Sequence, residues 1–408
     1  MTRLKGALLA DGRRVDIRIS GGNIAEVAPS LNPRIGEDDI DLDGALVLAA
    51  AAEPHAHLDK ALTADRVPNA TGDLLGAIQA WSSYRTRLTV DDIAERAERA
   101  ARLMLSNGVT AIRTHVDVSA EVGTRGIVAM TQVKKAMEGL VDIQVVALVS
   151  VPTTGVAGSN NRAALRDAMQ AGADVVGGCP HLDPEPDRCQ RYCLELAGEL
   201  AVPIDLHTDE HTDPTRSDLL SFAEWIVRTG FRWGATASHC VSLGMQDRNT
   251  QRSVAEAVAA ANVNVVTLPH TNLFLQGRQM PTATPRGLTA LRALLDADVN
   301  VAAGADNLQD PFNTMGRADP CETASLLVMA GHLLPEEAWF AVSAAARRAM
   351  ALPAGGLEIG QVADLVAFRT ASVRETVAFA PPNRTVFKSG RIVSGANELR
   401  IELRQHRS

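Results

Sequence analysis

Glu53-Pro54-His55-Ala56-His57-Leu58-Asp59 places two imidazoles one residue apart, and on an extended strand both project to the same side. Further along, His207 ends one apolar run, His239 ends another and Asp306 follows a third. Two imidazoles on one face, a third from another strand and a carboxylate form a ligand set for Zn2+, Fe2+ or a similar divalent ion. A lone His-x-His is more often a pair of satisfied histidines. Its combination with His207, His239 and Asp306 at successive strand ends is what points to a metal centre. A divalent ion lowers the pKa of its bound water toward ~7, so such a centre offers hydrolysis at neutral pH.

These residues need a scaffold that brings several strand ends together. Short apolar runs occur at 46–52, 109–118, 143–149, 174–178, 202–206, 235–238, 263–268 and 299–303. Stretches of helical period separate most of them, such as Val90–Ser106 with Asp91 and Asp92 in its first turn. Eight such runs joined by crossovers predict a (β/α)8 barrel, whose strand C-termini converge on one face. A doubly wound open sheet is the competing architecture, and periodicity does not separate the two. Both ends of the chain look different. Val15-Asp16-Ile17-Arg18-Ile19, bounded by Asp11-Gly12 and Gly21-Gly22-Asn23, reads as short antiparallel strands, and Ala363–Phe368 and Thr385–Lys388 repeat that style. The two ends together are expected to form one small β-domain.

Composition removes other classes. With 408 residues, 46% of them hydrophobic, and a net charge of only -8, the chain can bury a large core and is not disordered. It lacks the basic stripe of a nucleic-acid binder. The apolar run near the start is too short for a secretory leader, and Ala45–Ala52 is too short to cross a bilayer. Five cysteines, an odd number, then suggest reduced thiols in the cytoplasm. Cys189-x3-Cys193 has no second pair and reads as buried thiols on a helix.

The first motif, with Ile112–Val118, Gly172–Gly177, Asp205–Glu210, Thr236–His239, Leu275–Arg278 and Gly304–Asp306, resembles the amidohydrolase superfamily. Within it, the chain is most similar to cytosine deaminases and the N-alkylamino-triazine hydrolases. Gly360–Val366 resembles the superfamily's return into its small β-sandwich. The resemblance implies a barrel over residues 49–352 and a β-sandwich built from 1–48 and 353–408. It implies metal ligation by His55, His57, His207 and Asp306, with Glu210 as general acid/base and His239 orienting the attacking water or polarising the substrate. Asp306 can accept the water's proton, and Glu210 can protonate a ring nitrogen as hydroxide adds to the adjacent carbon. The amine then leaves while His239 hydrogen-bonds the oxygen that gains charge. The strand-four segment Val175–His181 holds no Lys or Glu to bridge two ions, which favours one metal per chain, with Cys179 as the alternative ligand for a second.

The pocket departs from its relatives. The glutamine with which cytosine deaminases grip a pyrimidine amide has no counterpart in Ala147–Gly155, where Ser150, Thr153 and Thr154 are the available polar groups. Asn307 stands where the family has a second acidic residue, Phe312 takes the aromatic-wall position, Gln276 is kept, and Lys60 follows the triazine branch. Lys60 reads either as a structural ion pair or as a contact to an anionic or carbonyl-bearing substrate. Trp81 and Phe274 are further stacking candidates, and His115, His181, His211 and His270 either line the pocket or sit satisfied in the core. Substrate binding is thus expected from Gln276, Asn307, Phe312, Lys60 and Ser150. The expected activity is deamination of a small nitrogen heterocycle other than cytosine, by a soluble homo-oligomer with no nucleic-acid or membrane partner. The rivals are ring-amide or exocyclic-amide hydrolysis on the same fold, and a small-molecule binding protein on a decayed barrel.

Overall fold

A computed structural model describes residues 1–395 and 400–402; the rest of the expected 353–408 segment lies outside the described residues. Eight parallel strands follow one another in chain order around one sheet: β1 (Ala51–Ala56), β2 (Val109–Val118), β3 (Asp142–Val149), β4 (Val175–Gly178), β5 (Ile204–Thr208), β6 (Ala235–His239), β7 (Val263–Thr267) and β8 (Val301–Ala303). Past the end of β8, Ala56 bridges Asp306, with Asp306 N donating to the His55 carbonyl at 3.0 Å and His57 N to the Asp306 carbonyl at 3.3 Å. That closure makes the sheet a barrel and decides against the open alternative.

The helix over Val90–Ser106 matches its expected span. The Thr89 side chain accepts from Asp92 N, two aspartates face the helix dipole, and Ile93, Ala97, Ala100 and Met104 bury one stripe against the barrel. Gly108, at φ 97°, then turns the chain into β2.

Both termini build a second, nine-stranded sheet. Thr2–Leu8, Arg14–Ser20 and Asn23–Ala28 form an antiparallel meander, and Leu365–Phe368 pairs antiparallel with Leu46–Ala49. Thr2–Leu8 also pairs in parallel with Asp38–Asp41, which the turn pattern does not suggest. The apolar run at 46–52 therefore divides at Ala50, with Leu46–Ala49 in the terminal sheet and the rest entering the barrel. A uniformly buried run gives no periodic signal of such a joint. Asp364, fully buried, ties the sheet to the barrel side by accepting from Arg347 at 2.9 Å and Lys388 at 2.7 Å. No described helix is long and apolar enough to cross a membrane.

A candidate metal centre at the barrel mouth

Alternation along the barrel strands decides which side chains meet. On β2, Arg113, His115 and Asp117 share one parity, and on β5 Asp205 and His207 do. The result is a buried polar column through the barrel. At its lower end the Arg113 guanidinium donates to Asp205 at 3.0 Å. Above it, the Ser238 hydroxyl donates to Asp205 Oδ1 at 2.9 Å, so its oxygen is left to accept from His55 Nδ1, also at 2.9 Å. This fixes the His55 tautomer with the proton on Nδ1 and a lone pair on Nε2.

That Nε2 lies 3.2 Å from His207 Nε2, which lies 3.2 Å from His57 Nε2. Asp306 Oδ1 is 3.3 Å from His57 Nε2 and 3.7 Å from His55 Nε2, and neither Asp306 oxygen has a hydrogen-bond partner despite full burial. Four-coordinate zinc with ~2.0–2.1 Å bonds spaces its ligands about 3.3 Å apart; His55, His57 and His207 lie close enough together to share one ion, and Asp306 groups with His55 and His239 at the same place. Burial and the neighbouring imidazoles hold His55 and His207 well below the usual histidine range, in the neutral form that ligates. Burial acts to raise Asp306, but the close approach of His57 and the other imidazoles outweighs it and leaves its carboxyl below the ordinary range. His239 and Asp306 both adopt left-handed backbone, at φ 74° and 64°, a strain of about 1–3 kcal/mol each that the surrounding ladder enforces.

Glu210 is buried beside the cluster. Its Oε1 lies 3.7 Å from His239 Nδ1 and its Oε2 3.9 Å from His181 Nε2. Burial pushes its carboxyl up to about 7, so near neutrality it can both hold and release a proton. His181 donates from Nδ1 to the His207 carbonyl at 3.1 Å, and burial keeps it neutral, down to about 3. His239 Nδ1 meets Asn272 Oδ1 at 3.0 Å, leaving Nε2 buried without a partner.

A cavity of ≈160 Å³ opens over these residues. Of the expected substrate contacts, Lys60, Ser150, Asn307 and Phe312 line it. Gln276 does not; it donates to the Glu210 carbonyl at 3.2 Å and so steadies the loop carrying that residue. Thr153 and Thr154 hydrogen-bond Asp183 instead of facing the cavity. Trp81 lines it and Phe274 does not. His115 stacks against His55 at 3.8 Å between ring centres, His211 lies 6.1 Å from His181 between ring centres and does not line the cavity, and His270 bonds Thr323. Cys179 borders the cavity as a thiol raised by burial, and no cysteine joins the groups of described residues that could hold a metal.

Sequence reasoning missed three elements of the site. Asp117 binds Lys60, Trp81 and Arg85 at 2.7, 2.7 and 3.2 Å, and the period-two row Arg113, His115, Asp117 was the signal that could have exposed it. Asp205 and Ser238 belong to the same inward parity. Arg85 ends the helix α1 (Leu74–Arg85), which forms a wall of the cavity, and nothing local marks it among 40 basic residues.

The amidohydrolase family profile matches residues 69–394. A pterin deaminase of Rhizobium rhizogenes (strain K84 / ATCC BAA-868) is 30% identical over 391 residues, covering 93% of this chain and 88% of that protein. The N-isopropylammelide isopropyl amidohydrolase of Pseudomonas sp. (strain ADP) is 24% identical over 405 residues, covering 96% of each. Among solved structures, the 5-methylcytosine deaminase from Klebsiella pneumoniae, liganded with 5-fluorocytosine, superposes with a TM-score of 0.86 at 27% identity, covering 96% of this chain and 97% of that one.

Proposed function

The chain belongs to the amidohydrolase family, and from that premise we propose that it is a one-metal hydrolytic deaminase of a small, planar, amino-substituted nitrogen heterocycle. The observation that carries this reading is the convergence of His55, His57, His207 and Asp306 on one point, with the raised carboxyl of Glu210 beside it. These four residues would hold a divalent ion, Zn2+ or Fe2+. When bound, such an ion acts as a Lewis acid that makes hydroxide available at neutral pH.

The chain's own residues do the rest. Asp306 keeps its carboxylate free of other hydrogen bonds and is the base that receives the first proton. Glu210 moves a proton between the nucleophile and the substrate's ring nitrogen, which its position near pH 7 permits in both directions. His239 presents its unpartnered Nε2 toward the oxygen that gains charge. Phe312 and Trp81 supply flat apolar surface, and the small cavity admits one substrate ring system and excludes a macromolecule. The pterin, pyrimidine and triazine substrates named for the relatives share the amidine carbon this arrangement attacks. Free cysteines support a reducing, cytoplasmic setting.

The test is metal content of the purified protein together with ammonia or alkylamine release from aminopterins, aminopyrimidines, aminotriazines and aminopurines. About one metal per chain and amine from one ring class, with the ring intact, is the expected result. A new carboxylate without amine would replace deamination by amide hydrolysis. Metal near zero, not restored by added Zn2+ or Fe2+, would remove the ligand assignment.

A further inference from the structure

We propose that the cavity wall formed by Lys60, Arg85 and Ser150 reads a substrate edge made of hydrogen-bond acceptors alone, with Arg85 as the specificity-determining residue. The ligand class is then a ring bearing an anionic edge, either a deprotonated cyclic imide or a ring carboxylate. This rests on the cavity being the substrate site and deepens that reading.

The wall is rich in donors and poor in acceptors. Arg85, on α1, lines the cavity and gives its Nη1 hydrogens to Asp117 Oδ2 at 3.2 Å and Ser150 Oγ at 2.9 Å. Its Nε is buried with no hydrogen-bond partner, and its Nη2 stands 3.8 Å from the exposed Glu121. Because Ser150 Oγ accepts from Arg85, its own hydroxyl hydrogen remains available to donate. Lys60 gives a hydrogen to Asp117 at 2.7 Å and stands 3.1 Å from His57 Nδ1 and 3.6 Å from the buried Asp59 carboxylate, so it enters the wall as a cation shared by two carboxylates.

The acceptors are already taken. Asp117 receives Lys60 on one oxygen and Trp81 and Arg85 on the other. Asn307 accepts from Thr271 and donates to Asp310, which holds its amide in place with one contact at each end. On this wall a ring edge with an N–H donor beside its oxo group, which a glutamine would satisfy from both sides, meets mostly donors; the unpartnered carboxylate oxygens of the cavity are those of Asp306 and Glu210, beside the ligand cluster. Burying that N–H unpaired is the penalty by which a site rejects the wrong edge. Two adjacent acceptors meet donors throughout, and the guanidinium adds charge and a fixed fork. Thus the residue pair at the end of β3 and α1 inverts the donor–acceptor pattern of an amide grip.

Isothermal titration of the full-length zinc-loaded protein with cyanurate, orotate and orotamide tests this. Orotamide carries a neutral carboxamide where orotate carries its carboxylate. Wild type is expected to bind at least one anion tenfold or more tighter than orotamide. Preference for cyanurate identifies a ring imide as the anionic edge, and preference for orotate a carboxylate. Arg85→Met should erase the preference, Arg85→Lys keep part of it, and Ser150→Ala, which leaves the Asp117 contacts in place, weaken anion binding severalfold. Equal binding of all three compounds, no binding of either anion, or a preference untouched in both Arg85→Lys and Ser150→Ala would overturn the inference, whether or not Arg85→Met folds. Arg85-dependent anion binding without amine release from any ring keeps this inference and removes the deaminase reading. Amine release only from neutral amide-edged rings, without anion preference, does the reverse.

Discussion

Replacing Glu210 by Gln should make the metal-free protein more stable at alkaline pH while nearly abolishing turnover. Burial holds the folded carboxyl's pKa at about 7, against an ordinary value of 4.5 in the unfolded chain. Between those two pH values the native state binds more protons than the unfolded state, so Glu210's contribution to stability is present below 4.5 and lost as pH rises through 7. The difference of roughly 2.5 units corresponds to about 3 kcal/mol lost by pH 8. A glutamine fills nearly the same volume and never ionises. Urea unfolding of metal-free wild type and Glu210→Gln at pH 5 and pH 8 measures this. The variant-minus-wild-type stability should rise by about 2–3 kcal/mol between the two pH values, since a small part is already lost at pH 5. Taking that double difference cancels Glu53, which burial raises to about 8, and Asp209, raised to about 7. A double difference near zero would falsify the claim that Glu210 is a desolvated carboxyl. On the metal-loaded protein, the same substitution should lower kcat by about 10²–10⁴-fold, since the proton carrier is gone.

Other substitutions address the remaining links. Asp306→Asn should reduce bound metal from about one per chain to a small fraction, read by atomic emission after dialysis, because it removes the anionic ligand. Ser238→Ala leaves the four proposed ligands in place but frees the His55 ring, and should weaken metal affinity about 10–100-fold in chelator competition; the metal-free protein should lose about 1–3 kcal/mol, because Asp205 Oδ1 and His55 Nδ1 stay buried without that partner. Asp364→Ala leaves the buried Arg347 guanidinium without its carboxylate, while Lys388 keeps Asp142, and should cost about 3–5 kcal/mol in denaturant unfolding. Its KM should stay unchanged, because the trio lies away from the cavity lining.

The chemistry of the site was written locally, and the sequence alone determined that part. His-x-His on a strand needs only period-two geometry to put both rings on one side, and His207, Glu210, His239 and Asp306 stand at or just past apolar runs wherever those runs lie in space. The alternation of runs with helical segments likewise pointed to parallel βα units, whereas the choice between a barrel and an open sheet was made only by the closure at Ala56 and Asp306. What no local pattern holds is which distant groups share one small space. Periodicity did not show the joint at Ala50, because both sheets bury that run equally; only the resemblance put a boundary nearby, at 48/49. Asp117 and Asp205 became part of the site only when β2 and β5 turned the same parity into one lumen. Arg85 matters because α1 packs across the mouth and delivers a helix-end guanidinium to a serine on another strand. Hydrogen-bond donors and acceptors are paired only in the assembled wall, so the edge proposed for the pocket rests on tertiary structure, whereas the proposed reaction type rests on residues legible in the sequence.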